Sequence, residues 1–358
     1  MAPFFTRLVT WQRQHGRHNL PWQGTRDPYR VWLSEIMLQQ TQVATVKGYF
    51  SRFVAQFPDV ASLAAANEDA VLGLWSGLGY YSRARNLHAC AQAIVARHGG
   101  AFPSDAAALA ELPGIGRSTA AAIASVCFSQ RVSILDANVR RVLSRYGAVQ
   151  DDLSLASGMQ NLWQFADRML PTSAADMPAY TQGLMDLGAM VCTPRKPRCE
   201  ACPVVADCQA RAGGNPEQFP VRTRKLRRSS VSLWVLQCMD ADGAVLLCKR
   251  PAKGIWAGLY CLPVFDAEQA VLDAVDAIFP NDPSCIANLD ALPVFTHTLT
   301  HKDLFIHTMR LTLARAAPAP GTVADPVNTP LQWVGAEAWP VLGLPAPIRR
   351  LLERSTAP

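Results

Sequence analysis

The chain has 358 residues, 49% of them hydrophobic and 17% charged, with a formal net charge of +6 at pH 7 and an isoelectric point near 8.8. At roughly 150 residues per domain, this length predicts about two domains, each large enough to bury a core. The opening stretch meets Arg7 too early for a secretory signal, and no apolar run approaches the roughly 18 residues of a membrane span, so a cytosolic protein is expected.

Residues 1 to about 210 read as helix after helix, punctuated by Gly and Pro. DPYRVWLSEIMLQQ opens with Asp27 as an N-cap and Pro28 at the first helical position. Within it, Val31, Trp32 and Leu38 stand at i−4, i−3 and i+3 from Glu35, placing this acid on the apolar face. A carboxyl group there resists ionisation and can donate a proton. A buried structural glutamate is the other reading.

LWSGLGYYSRARN is a Gly-flanked turn bearing Leu78, Tyr80 and Tyr81, followed by Arg83 and Arg85. Next, SDAAALAELPGIGRSTAAAIASV predicts helix, tight turn, helix. The free N–H groups and positive dipole end of its second helix form a phosphate-sized site at Gly114, Ile115 and Gly116. A G-x-G turn alone is shared by many helix pairs; the whole LPGIG string is more specific.

Asp136, in SILDANVRRVL, closes an apolar run before a helix, an N-cap position that favours the anion. YTQGLMDLGAMV then leads into four cysteines, Cys192, Cys199, Cys202 and Cys208, separated by six, two and five residues. Zinc ribbons bring two close Cys pairs together, whereas this spacing holds one CxxC and suits the four corners of an iron–sulfur cubane. Arg195, Lys196 and Arg198 lie between the first two ligands and suit DNA phosphates. The other six cysteines are expected to be core thiols.

Residues 211–230 form a Gly/Pro-rich and then basic linker, with Arg222, Arg224, Lys225, Arg227 and Arg228, which either lies on phosphates or is a solvated connector. From 231 to 358 the pattern becomes α+β: VSLWVLQCM and AVLLCKR as a hairpin around DADG, a helix in DAEQAVLDAVDAIF, and strands in LFIHTMRLTLA and LQWV.

The LPGIG string resembles the helix-hairpin-helix of the DNA glycosylase superfamily typified by endonuclease III, and the cysteine spacing resembles its 4Fe-4S signature. Together with the appended domain the resemblance is to the MutY adenine glycosylases. It implies a mainly α helix-hairpin-helix glycosylase domain over 1–210 and a smaller Nudix/MutT-like domain over 231–358. The activity implied is removal of adenine opposite 8-oxoguanine or guanine in double-stranded DNA, by a monomeric, cytoplasmic, nucleoid-associated enzyme holding one 4Fe-4S cluster. By resemblance Glu35 protonates adenine and directs water, Asp136 stabilises the cationic sugar, and Asn138 follows the Asp as it does in the family.

Bifunctional relatives carry a lysine where Ser118 stands here, and a hydroxyl cannot form their Schiff base, so base removal without strand nicking is implied. Trp22 and Gln182 match residues lining the adenine pocket, while Gln40, Thr41, Leu78 and Tyr80 match residues that meet the opposite base or wedge into the duplex. Gln23 departs from members with arginine there. The helix in DAEQAVLDAVDAIF lacks the REUxEExGU box of a working Nudix hydrolase, so this domain is expected to bind rather than hydrolyse. Its HTLTH string sets Leu299 and Thr300 where the family's 8-oxoguanine-reading segment has Phe and Ser. Rival readings are a bifunctional pyrimidine-lesion glycosylase of the endonuclease III type and a non-catalytic mismatch binder.

Overall fold

In the computed structural model the chain forms two compact units, residues 1–65 with 86–225, and residues 66–85 with 226–358. The structure describes residues 2–355 apart from 225–226, 281, 283 and 315–328; Lys225 of the basic run lies outside the described residues.

The first unit is helical. Its central element is the Met177–Met190 helix, against which Phe4–His15, Arg117–Phe128 and Ala137–Tyr146 all pack. Tyr180, Leu184 and Leu187 supply its core face, meeting Phe4, Leu8, Val139 and Leu143 in one buried cluster. Gly188 permits the close crossing: a Cβ there would stand 2.6 Å from Asn138 Cβ and 3.1 Å from the Asn138 backbone. The expected Asp27 cap forms, its Oδ1 accepting from Tyr29 N at 3.0 Å, and Asp105 also caps a helix, its Oδ2 accepting from Ala107 N at 2.9 Å. After the last cysteine the chain stays on this unit, with Leu153 N donating to Val221 O at 3.0 Å. All ten cysteines are free thiols, and the six outside the 192–208 segment are buried.

The second unit is built on a seven-stranded sheet: β1 (Ser229–Met239), β2 (Val245–Lys249), β3 (Tyr260–Cys261), β4 (Val264–Phe265), β5 (Asp290–Thr298), β6 (Lys302–Thr312) and β7 (Leu331–Val334). The main path runs β3-β2-β1-β6-β5, with β4 on β1 and β7 on β2. The β1–β2 turn forms as expected, Asp240 N donating to Ala244 O at 3.0 Å. Beyond the turn, however, the long partner of β1 is β6, parallel and in register from Ser229↔Lys302 to Met239↔Thr312. Alternation along β1 puts Val235 on one face with the Ala346–Ser355 helix and Leu236 on the other with the Glu268–Ile278 helix. That first helix was not foreseen in the sequence. No described helix is long and apolar enough to cross a membrane.

Candidate active site

A cavity of about 470 Å³ opens in the helical unit, and Glu35, Trp22 and Gln182 all line it, with Arg17, Gln23 and Val31. Trp22, a buried side chain, meets Phe50 edge-on at 5.4 Å between ring centroids. Glu35 is supplied by the Pro28–Leu38 helix, as the spacing predicts. Burial first, and the nearby Asp136 carboxylate second, push its carboxyl from 4.5 up to about 7.

Asp136 caps the Ala137–Tyr146 helix, its Oδ1 accepting from Val139 N at 2.6 Å. The N-cap argument expects a favoured anion. The structure shows that burial outweighs the backbone N–H groups of Val139 and Asn138 and the charges of Arg140 and Arg141, so this carboxyl too lies above the usual range. Asp136 in turn adds to the effect of burial on Glu35. With its carboxyl near 7, Glu35 still carries a proton as neutral pH is approached.

Ser118 does not line the cavity. Its Oγ accepts from Leu135 N at 3.1 Å, fixing the segment that delivers Asp136. In the hairpin, Gly114 takes φ +73 against Asn86, where a Cβ would stand 2.6 Å from Asn86 Cβ. Gly116 precedes the Arg117–Phe128 helix with open space around it and no side-chain cap, so the first amides of the helix remain available. Ile115 is different: its side chain is buried and its N–H donates to Leu112 O within the turn, at 3.2 Å.

Asp186 carries no local sequence signal that would single it out. Fully buried, it accepts from Arg17 N at 2.9 Å, Arg17 Nε at 2.7 Å and Gln182 Nε2 at 2.8 Å. A carboxylate paired with a guanidinium only accepts, so the Gln182 amide must turn its NH₂ to Asp186, leaving Oε1 as its acceptor. Gln23 is oriented oppositely. Its Oε1 accepts from Leu20 N at 3.2 Å, and its buried Nε2 has no partner among the described residues. The cavity wall thus carries an acid, an acceptor and a donor.

The four cysteines surround a small apolar cavity closed by Arg145, Val191 and Pro197. Among the described residues no three His, Cys, Asp or Glu side chains converge on a point suited to one metal ion. Four half-buried thiols around a common hollow instead fit the corners of a polynuclear cluster. Arg141 and Arg145, one turn apart in NVRRVLSRY, organise this loop. Arg141 Nε donates to Cys192 O at 2.7 Å, and Arg145 Nη1 donates to Thr193 O at 2.7 Å and to Cys192 Sγ at 3.4 Å. Arg141 Nη2 also bonds Asn138 Oδ1 at 2.8 Å and Gly188 O at 2.6 Å. One helix therefore starts at Asp136 and ends gripping the cysteine loop. Arg195, Lys196 and Arg198 are exposed, although Arg198 Nη2 donates to Met190 O at 2.5 Å.

Gln40, exposed at φ +55, and Thr41 follow the Glu35 helix. Leu78 and Tyr80 belong to the second unit. Tyr80 is exposed at φ +49 and its hydroxyl lies 3.0 Å from Thr300 Oγ1, whereas Leu78 is buried. The HTLTH string spans the end of β5. Leu299 and Thr300 occupy the turn into β6, closed by Leu299 N donating to Lys302 O at 2.7 Å. The Leu299 side chain packs on the sheet core, and Thr300 meets Tyr80.

Residues 33–166 match the family described as HhH-GPD superfamily base excision DNA repair protein. Residues 192–208 match the iron–sulfur binding domain of endonuclease III, and residues 234–354 match a NUDIX domain. An adenine DNA glycosylase of Buchnera aphidicola is 32% identical over 98% of this chain and 96% of its own length. The Mus musculus adenine DNA glycosylase is 34% identical over 93% and 74%. This chain belongs to the adenine DNA glycosylase family. It is a base-excision repair enzyme that removes adenine from DNA, and its cofactor is one 4Fe-4S cluster, which the four thiolates would hold. Among solved structures, a thermostable thymine-DNA glycosylase aligns at TM-score 0.52 and 28% identity, covering 59% of this glycosylase and 95% of that chain. A trapped endonuclease III–DNA covalent intermediate aligns at TM-score 0.50 and 19% identity over 59% and 94%, a likeness of fold.

Proposed function

We propose that this glycosylase hydrolyses the N-glycosidic bond of adenine opposite 8-oxoguanine or guanine, without nicking the strand. The observation that carries the reading is Glu35, held protonated to about pH 7 in a cavity it shares with Trp22 and Gln182. Adenine offers an exocyclic amine, which Gln182 Oε1 accepts, and ring nitrogens, one of which accepts from Gln23 Nε2. Glu35 protonates the base, the C1′–N9 pair leaves with it, and the sugar becomes an oxocarbenium ion. The Asp136 carboxylate stabilises that cation, and Glu35, now anionic, takes the proton from the water that adds to C1′. Asn138 and Ser118 support Asp136 from both sides, through Arg141 and Leu135 N.

Flipping adenine out leaves a gap. Tyr80 is exposed to enter it, Leu78 follows when the loop opens, and Gln40 and Thr41 meet the opposite base. Thr300, beside Tyr80, reads 8-oxoguanine, and Leu299 supports the turn from below. The hairpin amides at Gly116 and beyond hold a phosphate, with Gly114 and Ile115 shaping the turn. Cys192, Cys199, Cys202 and Cys208 would hold the cluster, which would tie the 192–208 loop together; base hydrolysis transfers no electron. We infer a monomer acting in the cytoplasm, associated with the nucleoid through DNA.

The test is a single-turnover assay on duplex with labelled adenine opposite 8-oxoguanine, quenched with and without hot alkali. Strand breakage only after alkali is expected. Breakage without alkali means a lyase with another nucleophile; tight binding without release means a mismatch reader.

A further inference from the structure

The sheet unit holds a second cavity, of about 240 Å³, between β5 and the Ala346–Ser355 helix. Arg350 and Arg354, His297 and Thr296 supply its polar lining, and Phe295 and Leu351 its apolar floor; among the described residues no carboxylate lines it. Both arginines are exposed at i and i+4 of one helix. Like charges at that spacing destabilise a helix, so the pair has a cost that an anion between them removes. Arg350 Nε donates to Ala346 O at 3.3 Å, which leaves its terminal nitrogens for a ligand, and Arg354 makes no hydrogen bond among the described residues. Burial and then Arg350 push the His297 imidazole below its ordinary value, leaving a neutral ring that donates one hydrogen bond beside the two cations. Guanidinium forks over an apolar floor match a phosphate oxygen set with a sugar or base behind it.

We propose that this cavity binds a phosphate group carried on a nucleotide unit, either of a DNA strand or free in solution. The test uses the full chain loaded with its cluster and the double variant Arg350→Gln/Arg354→Gln. Thr296→Asp, an exposed strand position, adds an anion to the same cavity without touching the helix. Circular dichroism checks folding, and either variant suffices if the other misfolds. Affinity for an undamaged duplex is measured by fluorescence anisotropy against salt, and dGMP is titrated by calorimetry. If the phosphate belongs to DNA, the double variant lowers the slope of log K against log salt by about one, since the single lost phosphate contact removes ~0.9. Thr296→Asp then weakens duplex binding at low salt. If the source is a free nucleotide, wild-type protein binds dGMP, both variants lose at least tenfold in affinity, and the duplex slope is unchanged. An unchanged slope together with no dGMP binding by wild-type protein overturns the proposal. None of these readouts depends on base removal, so they stand apart from the assay of the glycosylase reaction.

Discussion

The cavity of the helical unit and the Tyr80–Thr300 surface of the sheet unit both face a base in the proposed reaction, yet they are built on opposite terms. Around Glu35 the polar groups are half-buried or buried, and their protonation and orientation are dictated by their surroundings: burial and then Asp136 raise Glu35, and Asp186 turns Gln182. At Thr300 two hydroxyls meet at 3.0 Å at an exposed turn. Burial makes the first site strong and intolerant of change. Solvent makes the second weak individually, suited to discrimination.

If that contrast holds, the largest effect belongs to Glu35→Gln, which keeps shape and removes the proton. Single-turnover adenine release is expected to fall by at least the ~10²–10⁴-fold of a lost general acid, with duplex binding retained. A fall in binding equal to the fall in rate means Glu35 only holds the pocket together.

The same residue makes a pH prediction. Its folded pKa, about 7, exceeds the ordinary 4.5, so the folded state holds the proton more tightly than the unfolded chain. Stability is therefore lost as pH rises from 4.5 through 7, and Glu35→Gln stabilises most above pH 7, by at most about 3 kcal/mol. Thermal melting at pH 5 and pH 8 reads this directly. The rate carries the same sign: above about 7 the acid is spent, and adenine release falls about tenfold per pH unit. A rate flat from pH 6 to 9 assigns the proton to another group.

Asp186→Asn comes next. The amide can now donate to Gln182, whose carboxamide is free to flip and present NH₂ to the exocyclic position. Adenine release is expected to slow by about 10–100-fold, the worth of a hydrogen bond to a charged group. A hypoxanthine substrate, with oxygen there, loses less. Equal losses on both bases mean Asp186 serves only packing.

How much of this could be read beforehand follows the chemistry of each signal. Glu35, Asp136 and the four cysteines were legible because each rests on local rules: helical spacing, the N-cap, and thiolate separation along the chain. Asp186 and Arg145 were not, because their meaning lies in partners far along the sequence, Arg17 and Thr193. The net shift of Asp136 was misread for the same reason. Its helix N–H bonds are local and visible in the string, while its burial is assembled from distant segments. In the sheet unit, β1 was placed beside β2 by adjacency, although its long parallel partner, β6, lies some 70 residues on.

The smallest effect tests the exposed surface. Thr300→Ala removes one hydroxyl from a pair that water can replace, so stability should be unaffected within the ~0.5 kcal/mol of ordinary surface changes. Adenine removal opposite guanine, which has no 8-oxo group to read, should proceed as in the parent protein. Opposite 8-oxoguanine, loss of a single hydrogen bond of ~0.5–1.5 kcal/mol predicts a two- to tenfold drop in affinity, seen as a reduced ratio between the two mismatches. Tyr80→Phe removes the other hydroxyl, and if the two act as one unit the double variant should lose no more than the larger single change. Additive losses would separate them, with Tyr80 wedging by its ring and Thr300 reading alone, and the loop that carries Tyr80 would owe the sheet unit its support and nothing of its specificity.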